Sequence, residues 1–271
     1  MPLEDNGSLR RPLAYREEAF LQSPESRPLR ILSEYLWPLA HMHEERIQDT
    51  IVFFGSARIG EDSALGRYYS EARELARMVT EWSQSISGAQ GAAEHRRFVV
   101  CSGGGPGIME AANRGASEAG GKSIGFNIGL PFEQRPNPYI TPELSFEFHY
   151  FFMRKFWFAY LAKALVVFPG GFGTLDELME ILTLAQTHKL ESKIVIVLYG
   201  AEFWREIVNF DALLKYGVIS QKDLNLFRFA NTPGEAFALL KEELTHYYLE
   251  PESHLQTTLE EAPEIARSRT S

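Results

Sequence analysis

Residues 164–182 read ALVVFPGGFGTLDELMEIL: an apolar β-rich run, a proline, three glycines within four positions, then apolar residues at helical spacing. A strand that ends in glycine and opens directly into a helix is half of a strand–helix–strand unit. The same pattern recurs on both sides. Upstream lie TIVFFGS (50–56), ALGRYYSEARELARMVTEW (64–82), RFVVCSGGG (97–105), GIMEAANRGASEAG (107–120), KSIGFNI (122–128) and YFFMRKFWFAYLAK (150–163); downstream lie KIVIVLYG (193–200) and AEFWREIVNF (201–210). Glycine-bounded apolar runs alternating with helical ones predict an α/β, Rossmann-like, doubly wound parallel sheet with helices on both faces.

In such a sheet, ligands gather at the carboxyl ends of the strands. Two of the strand-to-helix turns are rich in glycine: Gly103, Gly104, Gly105, Pro106, Gly107, and Gly170, Gly171, Phe172, Gly173, Thr174. Each opens a helix whose first amides lack internal partners and whose aligned peptide dipoles leave positive charge at that end, which suits a phosphate. Glycine there can also serve only to make a tight turn, but two such turns on one sheet favour a nucleotide-sized anion. Neither is a Walker loop, since no Gly-Lys-Ser/Thr follows, and neither fits G-x-G-x-x-G, so a dinucleotide hydride carrier is disfavoured. Ser56, at the end of FFGS, is a weaker candidate for the same pocket.

Thr174 and Glu177 have capping-box spacing, in which the threonine caps the helix and the glutamate reaches back. A carboxylate one turn into a phosphate-binding helix also stands where a nucleotide's ribose would lie. Arg154 and Lys155 sit in YFFMRKFWFAY, where aromatic residues fall on nearly every side and predict a buried helix. A buried guanidinium needs an anion, from a structural carboxylate or from a ligand. Asp176 and Glu180 read as surface or subunit contacts. His41 and His43 diverge on a helix, so no metal site is expected, and no cofactor.

PGGFGTLDE fits the pattern PGGxGTxxE, and together with SGGGPGIMEAANRGA and FFMRK it closely resembles the LOG ("Lonely Guy") family, also labelled lysine decarboxylase-like. The likeness runs from about residue 50 to about residue 230. It implies a phosphoribohydrolase that cleaves the N-glycosidic bond of a nucleoside 5'-monophosphate, such as a cytokinin riboside 5'-monophosphate or AMP, to free base and ribose 5-phosphate. The family's essential arginine and glutamate fall on Arg154 and Glu177. Its phosphate-binding residues fall on Gly170, Gly171, Gly173 and Thr174, with Gly103 to Gly107 lining the nucleotide pocket. Met109 and Lys155, in the same motifs, complete the expected substrate-binding set with Ser56. The resemblance also implies a homodimer or larger homo-oligomer. Shorter members carry a histidine beside the Arg-Lys pair, as in MHERK. This chain has FFMRK and the long segment GFNIGLPFEQRPNPY, which resembles a longer branch and makes ordinary purine and pyrimidine monophosphates candidates. A carrier of nucleotides or molybdenum cofactor with the same fold is the alternative. A decarboxylase would need pyridoxal phosphate on Lys155 or Lys163, with supports that are not evident around either.

The 271 residues, 45% of them hydrophobic, suffice for a large core, and a net charge of −9 argues against nucleic-acid or anionic-membrane partners. One cysteine, no signal-peptide pattern and no membrane-length apolar run lead to an expected cytoplasmic location. The expected organisation is an N-terminal arm and helix at 1–48, a catalytic domain at 49–250 and a disordered tail at 251–271. Within the arm, the first thirty residues, with four prolines, read as mobile or loosely docked. A helix follows from Ile31, bent at Pro38. SQSISGAQGAAEH (83–95) reads as a surface insertion.

Overall fold

The computed structural model describes residues 12–89, 95–129, 135–190 and 192–250. Seven strands, β1 (Thr50–Phe54), β2 (Val99–Ser102), β3 (Ser123–Ile128), β4 (Ser145–Phe148), β5 (Ala162–Val167), β6 (Val195–Tyr199) and β7 (Phe227–Ala230), form one sheet in the order β4-β3-β2-β1-β5-β6-β7. Every pairing is parallel. The helices are α1 (Glu18–Leu21), α2 (Arg27–Glu44), α3 (Gly66–Ala89), α4 (Ile108–Glu118), α5 (Phe151–Tyr160), α6 (Phe172–Gln186), α7 (Ala201–Ile207), α8 (Phe210–Lys215) and α9 (Pro233–Tyr248).

β1, TIVFF, is buried along its whole length, and its side chains alternate between two cores. Ile51 and Phe53 join the core built with α3, α4 and α9; Val52 and Phe54 join the one built with α2, α5 and α6. This two-sided burial is why the strands read as continuous apolar runs. The chain winds outward from β1 to β4 and then returns to place β5 on the other side of β1. The strand order therefore reverses between β1 and β5, the position at which sheets of this kind open a crevice.

Three expectations need correction. Residues 83–95 are not wholly an insertion, because α3 continues to Ala89; residues 90–94 lie outside the described residues. From Pro12 the arm is folded: Arg30 donates to the carbonyls of Leu21 and Ser23 at 2.6 and 2.7 Å, and helix begins at Arg27, before Ile31. Finally, α5 is not buried all round. Met153, Trp157 and Phe158 face the core, while Phe151, Phe152, Phe156 and Tyr160 are exposed. The tail expected at 251–271 lies outside the described residues.

Candidate active site

The crevice between β1 and β5 is closed by three loops stitched together through the backbone of Ser56. Its N–H donates to the carbonyl of Pro169 at 3.0 Å, in the second glycine turn, and its carbonyl accepts from the N–H of Ile108 at 3.1 Å, just past the first. Gly107 must be glycine, since its φ is +69° and a Cβ would collide with the Ser56 carbonyl. The result is a cavity of about 290 Å³ lined by Ser56, Gly103, Met109, Arg154, Gly171, Gly173, Thr174 and Glu177, all of them expected site residues. Phe54, Gly55, Ala57, Arg58, Ile128 and Phe151 complete its wall.

The glycines of the second turn have separate jobs. A Cβ on Gly170 would strike the side chain of buried Thr174, so Gly170 lets the turn pack. A Cβ on Gly171 or Gly173 would meet nothing within 4 Å, so at these positions glycine leaves the helix entrance open to the cavity. α6 begins at Phe172, and its N-cap is Gly171 with no side-chain cap bond. Thr174 is thus the third residue inside the helix and Glu177 the sixth. The capping box is excluded, and Glu177 is free to face the cavity.

Arg154 projects from α5 against Glu177, with Nη1 and Oε1 3.5 Å apart and both side chains largely buried. Its Nε donates to the Phe126 carbonyl at 2.7 Å, and its guanidinium lies 5.0 Å from the Phe158 ring centroid. A Cβ on Gly103 would come within 2.6 Å of Arg154 Nη2 and of Met109 Sδ, so glycine in the first turn leaves both side chains room at the cavity. Burial pushes the Glu177 carboxyl up to about 7, against the lowering effect of Arg154. Burial likewise lowers the Arg154 pKa, with Glu177 opposing it. Guanidinium nevertheless keeps its charge at neutral pH, whereas Glu177 titrates there.

Other expected site residues do not line this cavity. Lys155 turns to Asp176 and Glu180 at 2.7 and 3.0 Å, which gives those carboxylates a partner within the chain. Gly104 and Gly105 are buried and present their carbonyls to Asn137 Nδ2, both at 3.1 Å. Asn137 also bonds Asn113 Oδ1, which accepts from Ser102 Oγ at 2.6 Å, so a buried amide network fixes the first turn from behind. Gly170 lines a neighbouring cavity of about 320 Å³ that shares Ser56 and Arg58 with the first and has apolar walls at Ile59, Leu65, Pro169 and Phe203.

Sequence reasoning missed Arg58. Its backbone N–H bonds Ser56 Oγ at 3.1 Å, and its exposed side chain makes no ion pair among the described residues. Its place in FGSAR, two residues beyond Ser56 at a strand end, was the available signal.

The family described as "Possible lysine decarboxylase" matches residues 109–240, a span that includes Arg154 and the whole of the second glycine turn. Over that span, just under half of the chain, the sequence matches this LOG-like family. No curated protein sequence matches the chain. Among solved structures, the structural-genomics target TM1055 is 21% identical over 72% of this chain and 99% of its own, with a TM-score of 0.50, a likeness of fold. The molybdenum cofactor binding protein of Rippkaea orientalis is 18% identical over 73% of this chain and 98% of its own, with a TM-score of 0.49. The Moco carrier protein of Chlamydomonas reinhardtii is 22% identical over 73% and 98%, with a TM-score of 0.47.

Proposed function

We propose that this LOG-like protein hydrolyses the N-glycosidic bond of nucleoside 5'-monophosphates, releasing free base and ribose 5-phosphate. The observation that carries the reading is the buried pair of Arg154 and Glu177, 3.5 Å apart, beside a helix entrance left open by Gly171 and Gly173. In this reading the phosphate lies on the first amides of α6 near Thr174, the ribose reaches Glu177, and the base extends toward Met109, Ile128 and Phe151.

Cleavage passes through an oxocarbenium-like sugar, as glycoside hydrolysis does. Ionised Glu177 takes a proton from water as its oxygen adds to the anomeric carbon. The electrons of the broken C–N bond go to the base, which takes a proton from solvent while the Arg154 guanidinium stabilises it, and Glu177 returns its proton to solvent. A carboxylate pushed up to about 7 by burial is disfavoured as an anion. Developing positive charge on the sugar reverses that penalty, so the stabilisation is greatest in the transition state. The phosphate is remote from the breaking bond, and its binding energy fixes the sugar in place.

Arg58 is the cation we assign to the phosphate. Arg154 and Lys155 already have anionic partners, whereas Arg58 lines the cavity without one among the described residues. Self-association is part of the proposal as well: the exposed rings of Phe151, Phe152 and Phe156 lie at the cavity's edge or beside it on α5, an apolar face suited to a second copy. No helix among the described residues is long and apolar enough to cross a membrane.

The test is product chromatography with AMP, N6-isopentenyl-AMP, GMP, CMP and UMP, and with adenosine as the unphosphorylated control. Base and ribose 5-phosphate from a monophosphate but not from adenosine support the hydrolase, and the ranking of bases gives its specificity. Binding of a monophosphate with no base released would favour the carrier alternative.

A further inference from the structure

We propose that Glu34 is a positioning residue: from the N-terminal helix α2 it caps α5 and so fixes Arg154 against Glu177. The inference rests on the reading of those two residues as the reacting pair.

The N-cap of α5 is Tyr150, whose side chain makes no cap bond, and the residues that follow, Phe151, Phe152 and Met153, have none to offer. The missing acceptor comes from 115 residues earlier in the chain. Glu34 Oε1 accepts the N–H of His149 at 2.7 Å, and Oε2 accepts the N–H of Tyr150 at 3.2 Å. A carboxylate at this end also opposes the helix dipole. The second turn is tied to the same residue, since Trp157 Nε1 donates to the Glu34 carbonyl at 3.0 Å, and Tyr35 stacks on Trp157 with ring centroids 5.9 Å apart.

Arg154 lies between these two attachments. Its own N–H bonds the Tyr150 carbonyl at 3.2 Å, in the first turn that Glu34 holds. Loosening that turn would move the guanidinium relative to Glu177, which stands on a different helix. α2 lies outside residues 109–240, so this device belongs to the N-terminal segment rather than to the part that matches the family.

The experiment compares Glu34→Ala and Glu34→Gln with the wild-type chain, reading amide hydrogen exchange of the segment 149–156 together with kcat and KM for the best monophosphate. In Glu34→Ala, exchange should rise by about tenfold, as expected when a cap is lost. Its kcat should fall by about tenfold to hundredfold with KM nearly constant, because a displacement of about 1 Å can cost that much. Glu34→Gln keeps one of the two acceptors and turns an amide N–H toward the other donor, so its exchange and kcat should fall between those of wild type and Glu34→Ala. Unchanged exchange in Glu34→Ala would overturn the proposal, and so would faster exchange with kcat unaltered. A wild-type protein with no turnover would refute the hydrolase, and the exchange difference would then decide the cap by itself.

Discussion

Arg154 and Glu177 approach to 3.5 Å from two different helices, and burial disfavours the charged form of each more than the other's presence favours it. An ion pair serving stability alone would be expected to sit closer and to hold the glutamate pKa down. Here the carboxyl is pushed up to about 7, an unfavourable charge that the proposed cationic sugar would relieve.

That arrangement has a pH signature in stability. A carboxyl whose pKa is higher folded than unfolded favours the folded state below the unfolded value, near 4.5, and loses that contribution as pH rises through about 7. Wild-type protein should therefore weaken between pH 5 and pH 8 relative to Glu177→Gln, by about 3 kcal/mol at most. Denaturant unfolding of both proteins at the two pH values measures the difference. A gap that does not change with pH would mean that Glu177 is ionised throughout.

Two neighbouring glycines should respond in opposite ways. Gly171→Leu places its side chain in open space and should cost at most about 1 kcal/mol through the helix cap, while weakening inhibition by inorganic phosphate by about tenfold or more. Gly170→Ala drives a methyl into Thr174 and should lower stability by about 1–3 kcal/mol. Thermal melts and phosphate titrations of the two variants separate the effects. Unaltered phosphate inhibition in Gly171→Leu would count against the cradle.

Arg58→Ala should raise KM for a monophosphate by about tenfold, the usual scale for a charge-assisted hydrogen bond, and leave the fold intact because the side chain is exposed. Binding of the unphosphorylated nucleoside should be unaffected. An equal loss for both ligands would show that Arg58 does not read the phosphate.

The central strands and both glycine turns were legible because strands buried on two faces leave uninterrupted apolar runs that end in glycine. The edge strands were not. β4 and β7 have only four residues each, and exposed Glu147 and Arg228 interrupt them. Thr174 looked like a cap because its spacing to Glu177 was right, but glycine at 171 opens the helix three residues sooner. The exposed side of α5 escaped notice because aromatic residues alone do not tell a core from an outward apolar face. Asn137 and Glu34 act on backbone groups 32 to 33 and 115 to 116 positions away, distances at which no local pattern in the sequence can be read.

The most direct measurement is a paired assay of Glu177→Gln: calorimetric affinity for AMP, or for whichever monophosphate turns over best, and base release from the same ligand. The substitution keeps the size of the side chain and removes its charge and basicity. The account predicts affinity within about threefold of wild type and base release reduced by about 100-fold or more, the scale of a lost general base. Base release at the wild-type rate would contradict it.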